Sequence, residues 1–240
     1  MEKLIYLLWD TKDREPDEIQ KLLLEECAPR LISLGAEKLS MNVDDSDSDV
    51  PPPLPTPQGE LSLSAQVSLW LNSVDLRGSF EQVLMVGGTR LAGYLVTESL
   101  CTEYGDNEYA GPRAWPDGER SPGVLTVTLI EQPERLSYEE WTHLWYGTQS
   151  PLSGRIQPRA RYVRNAVVRP LTEAAPPYKG IVEEAWPSAE DITDPMRFYC
   201  GHGSEERMQA NIQMMVESVR AFLDMDRIRS ATMSEYLLKS

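Results

Sequence analysis

Apolar and polar residues alternate along this chain in two rhythms, and the switches between them mark out its elements. Residues 3–9, KLIYLLW, form a short apolar run suited to a buried strand. Pro16 then stands where helices start, with Asp17 and Glu18 in the first turn, and Ile19, Leu22, Leu23 and Cys27 recur at helical spacing up to a stop at Gly35. Residues 36–43 and 66–73 read as strands, 75–86 as a helix with Leu76, Phe80, Val83 and Leu84 on one side, and 91–100 as a fourth strand. The order is β-α-β-β-α-β. After residues 104–122, which read as a linker, the order repeats. Residues 123–132 are a strand. Ser137 and Glu140 form a capping box for a helix marked by Tyr138, Trp141, Leu144 and Trp145. Strands follow at 160–169 and 179–186, then a helix over 205–223 capped by Ser204, and a last strand over 227–238.

The expected fold class is α+β. Residues 1–103 and 123–240 are each expected to form a ferredoxin-like unit, helices on one face of an antiparallel sheet. The bare faces of the two sheets can cover each other, closing an intrachain barrel. The stretches EECAPRL (25–31) and GTQSPLS (147–153) then fall at matching places, which sets Cys27 against Gln149.

Residues 44–60, DDSDSDVPPPLPTPQGE, offer almost nothing to bury and read as an exposed, polyproline-like loop. Asp45, Asp47 and Asp49 alternate as in a calcium loop, but Val50 and Thr56 hold the places where that loop needs Gly and Glu. Across the 240 residues, 23 basic and 38 acidic side chains leave a net charge of −15. Such a surface repels phosphate backbones and anionic lipids, so neither nucleic acid nor membrane is an expected partner. The three cysteines are widely spaced, show no disulfide or metal-knuckle pattern, and suit a reducing cytoplasm. The first apolar run is too short for a secretion signal and ends at Asp10.

Three segments carry a family resemblance: Trp145 to Pro151, RYVRNAVVRP (161–170) and YKGIVEEAWPSAED (178–191). Together they resemble the EthD family of the dimeric α+β barrel superfamily, whose signature sets an aromatic residue four places before a His, with Pro two places after that His. The match runs through most of residues 123–238; in the first half only the strand, helix and APRL segment are recognisable. The chain departs from the signature at its His. Gln149 holds that position in the second half, and Leu23, Cys27 and Pro29 hold the three signature positions in the first. Glutamine cannot exchange a proton near neutral pH, as imidazole can. The resemblance implies a barrel that takes aromatic or polyketide-like molecules, often without a cofactor.

Only two histidines are present, His143 and His202. His143 lies off the Trp141–Trp145 stripe and reads as a surface residue. His202, between two glycines ahead of a helix, is first read as part of a structural turn, and of the two histidines it is the better candidate acid or base. Period two puts Arg161 and Asn165 on one face of their strand, and sets Glu183 with Ile181 and Ala185 but Glu184 with Val182 and Trp186. The candidate ligand site is Arg161, Asn165, Glu183 and Gln149 within walls of Trp141, Trp145, Trp186 and Tyr199. The same charged groups could instead form cross-strand ion pairs, and the indoles could be core alone. No phosphate loop, dinucleotide fingerprint, serine-nucleophile motif or His-rich metal site occurs, and nothing indicates a heme or flavin, so no cofactor or metal is expected. The expected function is binding of a small apolar or aromatic metabolite in a barrel pocket, with cofactor-free isomerase- or lyase-type proton chemistry as its enzymatic form. The alternative is a non-catalytic interaction module with a sealed barrel. Both leave room for homo-oligomers.

Overall fold

The computed structural model describes residues 1–54, 56–57, 59–85 and 87–240. Pro55 and Gln58 of the expected loop and Val86, the expected end of the second helix, lie outside the described residues. The first β-α-β-β-α-β run comprises β1 (Glu2–Asp10), α1 (Pro16–Lys21) continued by α2 (Ala28–Ser33), β2 (Lys38–Val43), β3 (Ala65–Leu71), α3 (Arg77–Leu84) and β4 (Thr89–Thr102). The second comprises β5 (Val124–Ile130), α4 (Tyr138–Thr142) continued by α5 (Ser150–Ile156), β6 (Arg161–Pro170) and β7 (Gly180–Trp186). It ends with short helices α6 (Glu190–Thr193) and α7 (Pro195–Phe198), then α8 (Glu205–Phe222) and β8 (Arg229–Lys239).

The strands close into an antiparallel barrel in the order β1-β3-β2-β8-β5-β7-β6-β4. Strands of one run stay adjacent, and the seams between runs are β2–β8 and β4–β6. At β1 both sides of the barrel wall are buried, which is why it reads as an unbroken apolar run rather than an alternating one. Its Leu4, Tyr6 and Leu8 pack outward against α1 to α3, while Ile5, Leu7 and Trp9 pack inward.

The segment expected to be a linker is part of the barrel's filling. Tyr104 is buried and packs with Trp115 in the inner cluster, their rings 5.0 Å apart and edge to face. The Tyr104 hydroxyl and the Ser121 hydroxyl both donate to Glu235, at 2.8 and 2.6 Å. Leu63 and Tyr178 belong to the same inner cluster. The barrel lumen is therefore packed with side chains drawn from strands and connections alike.

Each run contains a helix that passes through a proline without stopping. Leu22–Cys27 and His143–Gln149 are π-helical turns, joining α1 to α2 and α4 to α5. The Ala28 N–H bonds to the Leu23 carbonyl and the Ser150 N–H to the Trp145 carbonyl, five residues back in both cases. Pro29 and Pro151 have no N–H for the carbonyl four residues before them. A turn widened just ahead of each lets the helix run on. Short π insertions of this kind are uncommon and recur at functional sites. Here they fall in the register that sets Leu23 against Trp145 and Cys27 against Gln149.

Candidate functional site

On the outer face of the second run, β5 to β8 present a floor to α4, α5 and α8. Alternation along β7 sends Val182, Glu184 and Trp186 outward, while Ile181, Glu183 and Ala185 face the lumen. Between floor and helices lies a cavity of about 210 Å³. Trp145, Trp186, Phe198, Phe222 and Met215 supply apolar walls, and Pro53 and Leu54 reach across from the β2–β3 loop to line it from the first run. Trp145 is held from behind by Trp141, with ring centroids 5.0 Å apart, and both are buried. Burying an indole contributes about 4–6 kcal/mol gross, from its area and the transfer energy per unit area.

The polar groups at the cavity are few. Glu184 accepts a hydrogen bond from the Arg159 guanidinium at 2.8 Å. That guanidinium lies over the Tyr162 ring at 3.9 Å and donates to the Ser150 carbonyl at 3.4 Å. The Tyr162 hydroxyl meets the Ser150 hydroxyl at 2.9 Å, and burial pushes its phenol above the ordinary range. Burial does the same to Tyr199. Trp186 donates its Nε1–H to Thr126 at 3.0 Å, so its ring orientation is fixed. Gln149 donates from Nε2 to the Met215 sulfur at 3.1 Å, and its buried Oε1 has no partner among the described residues.

The candidate residues thus separate into two places. Trp145, Gln149, Trp186 and Tyr199 line the outer cavity, and Trp141 backs it. Arg161, Asn165 and Glu183 do not reach it, because their strand faces point into the barrel. There Glu183 accepts from Gln66 at 2.8 Å and Asn165 at 3.0 Å, with Lys3 at 3.6 Å and Arg161 at 3.8 Å. Burial works to raise the Glu183 carboxyl, but Lys3, Arg161 and the two amides outweigh it and hold the group below the usual range. Arg161 also pairs with Glu235 at 3.0 Å. The charges pair with one another, as buried charges must, while the amide oxygens of Gln66 and Asn165 have no partner among the described residues. His202 is exposed in the turn before α8, at φ +50°, and does not line the cavity; His143 is exposed on its π turn.

Sequence reasoning passed over Glu184, Arg159 and Tyr162. The signal for Glu184 was present, since period two had already set it on the face of Trp186. Arg159 carried none, because it sits outside any strand and acts through its reach.

The matching place in the first run is filled. Cys27, where the second run has Gln149, is buried among Leu23, Leu31, Phe80 and Val83. Its thiol points at the Val83 carbonyl, 3.6 Å away, and burial pushes its pKa up to about 11, so it is no thiolate nucleophile.

No protein-family model matches the chain, and no curated protein matches it in sequence. Solved structures do match in shape. An anthrone oxidase-like protein aligns over 100% of this chain and 94% of its own, with a TM-score of 0.59 and 14% identity. A candidate monooxygenase of Fusobacterium nucleatum subsp. nucleatum aligns over 99% and 92%, at 0.51 and 9%. A mutant chlorite dismutase of Candidatus Nitrospira defluvii aligns over 99% and 92%, at 0.50 and 10%. The fold, a closed eight-stranded antiparallel barrel with helices outside it, is shared with these structures. Identity this low carries the architecture and no chemistry. Among the described residues no helix is long and apolar enough to cross a membrane, and no cluster of three or more His, Cys, Asp or Glu could hold a metal ion.

Proposed function

We propose that this chain binds a small apolar or aromatic molecule in the helix-covered cavity of its second half. The observation that carries the reading is the contrast between the two runs. The same strand, π turn and proline recur in each, yet Leu23 and Cys27 belong to a filled core and Trp145 and Gln149 border open space. In this reading residues 1–103 and 123–240 are two ferredoxin-like copies of one EthD-like unit, and 104–122 joins them while plugging the barrel. The first copy has become scaffold and the second keeps the site. Trp145, Trp186 and Tyr199 are its ligand contacts, with Gln149 where the family sets its His. The packed lumen supports the sealed-barrel alternative for that space alone, and removes Arg161, Asn165 and Glu183 from ligand contact. Any cofactor-free proton chemistry then falls to Glu184, the carboxylate at the cavity, rather than to His202. The free thiols suit a cytoplasmic setting.

The test is equilibrium dialysis of the whole protein against naphthalene-ring probes, with the variant Val219→Trp as control. Val219 lines the cavity from α8, and an indole there occupies the space. Binding by the parent and its loss in the variant supports the reading. Equal binding by both refutes it.

A further inference from the structure

We infer that Glu184 is the specificity-determining residue of this cavity, selecting neutral or cationic ligands that carry a hydrogen-bond donor and rejecting carboxylates and phosphates. The inference rests on the proposed ligand site and adds the class of molecule it takes. Three observations carry it.

The first is the state of the Glu184 carboxylate. Oε1 is occupied by Arg159 at 2.8 Å, while Oε2 receives no hydrogen bond from a described residue. The side chain keeps 18% of its surface accessible and lines the cavity. It therefore presents one acceptor oxygen to whatever enters.

The second is where the compensating charge lies. The Arg159 side chain is 5% accessible and does not line the cavity. Its Nη1 donates to Glu184 and its Nη2 to the Ser150 carbonyl, and its plane lies over the Tyr162 ring. Its Nε has no partner among the described residues but is buried. Arg159 is thus a positioning residue. It fixes the carboxylate from behind and, lying outside the cavity lining, presents no N–H to a ligand anion there. No Lys, Arg or His borders the cavity among the described residues.

The third is the Gln149 amide. Its N–H₂ end is turned to the Met215 sulfur, leaving Oε1 buried and unpartnered. This second acceptor is closed off from the open space but adds its negative end to the field behind the wall. A ligand hydroxyl or amine would meet the need of the carboxylate, whereas an anion would face a carboxylate, with an amide oxygen nearby, in a setting of low dielectric. Gln157, whose amide makes no hydrogen bond to a described residue, is a neutral donor and cannot offset that repulsion.

The test compares three probes with one ring system: 2-naphthol, 2-methoxynaphthalene and 2-naphthoate, measured by equilibrium dialysis at neutral pH. The parent should bind 2-naphthol at least about tenfold more tightly than either of the others, the size expected of a hydrogen bond to a charged acceptor. Glu184→Gln should erase the discrimination against 2-naphthoate. If that single change prevents folding, the double variant Arg159→Met/Glu184→Met removes both charges together, a replacement that buried ion pairs tolerate, and should erase it likewise. Parent binding of 2-naphthoate as tight as that of 2-naphthol, or an unchanged ranking in the variants, overturns the inference and leaves the ligand site standing. Binding of none of the three removes the site itself, and the inference with it.

Discussion

Gly180 opens β7 directly beneath Trp145, and replacing it with alanine tests whether that indole shapes the cavity. A Cβ at position 180 would sit 2.5 Å from Trp145 Cη2 and 2.8 and 2.9 Å from the Ile130 side chain. Ordinary carbon contacts begin about 1 Å further out. The atom struck is the far edge of a rigid indole that is 2% exposed and backed by Trp141 at 5.0 Å, so little can give. The open direction is the cavity. Gly180→Ala should therefore cost about 1–3 kcal/mol, the range for overpacking a well-packed core, and tip Trp145 into the ligand space. Urea unfolding followed by tryptophan fluorescence measures the first effect, and dialysis of 2-naphthol the second, as weaker binding. A double-mutant cycle isolates the cause. In a Trp145→Ala background the Gly180→Ala cost should fall without vanishing, because the indole is gone while the Ile130 side chain still has to shift. A cost below about 0.5 kcal/mol in the parent, within the ordinary scatter of surface changes, would refute the packing argument.

Two other changes have outcomes that follow from local physics. Burial, with Asp45 and Asp49 beside it, raises the Asp44 carboxyl to about 6. A carboxyl raised in the folded state binds more protons folded than unfolded between pH ~4 and ~6, so its ionisation makes stability fall as pH rises through that window. Asp44→Asn should stabilise the protein at pH 7 by about 1 kcal/mol, allowing for solvent screening, and flatten chemical-denaturation stability between pH 4 and 6. His202, at φ +50° and exposed, should gain about 0.5–1 kcal/mol in the same assay on change to Gly, with probe affinity unaltered; a loss of binding would restore it to the site.

Much of the fold was legible because its elements announce themselves locally. The Ser137–Glu140 capping box and the Ser204 cap are formed as their residue types require, and Gly35 ends the first helical segment at φ +99°. Closure into a barrel followed from the need of two half-bare sheets for cover, whereas the order of strands around it comes from the pairing in space. The packing of residues 104–122 was not legible because Tyr104, Trp115 and Ser121 are spread among polar, turn-forming residues, and only closure of the barrel gives them a common target. The site was half legible. Trp145, Gln149, Trp186 and Tyr199 lie together, but Glu183 was placed there with them instead of Glu184, although one position along a strand reverses the face a side chain takes. Which face lines the lumen is set by the second sheet, and no local pattern in β7 records it. The cavity itself depends on what α8 and the β2–β3 loop leave unfilled, a property of volumes in space rather than of sequence period.

In the proposed reading the ligand lies outside the barrel, between the second sheet and its helices. A crystal structure of the protein grown with 2-naphthol at saturating concentration measures this most directly. Density for the ring is expected between Trp145 and Trp186, beneath α8, with its oxygen turned to Glu184. Density within the barrel lumen beside Arg161 and Glu183, or a cavity empty of the probe at saturation, would contradict it.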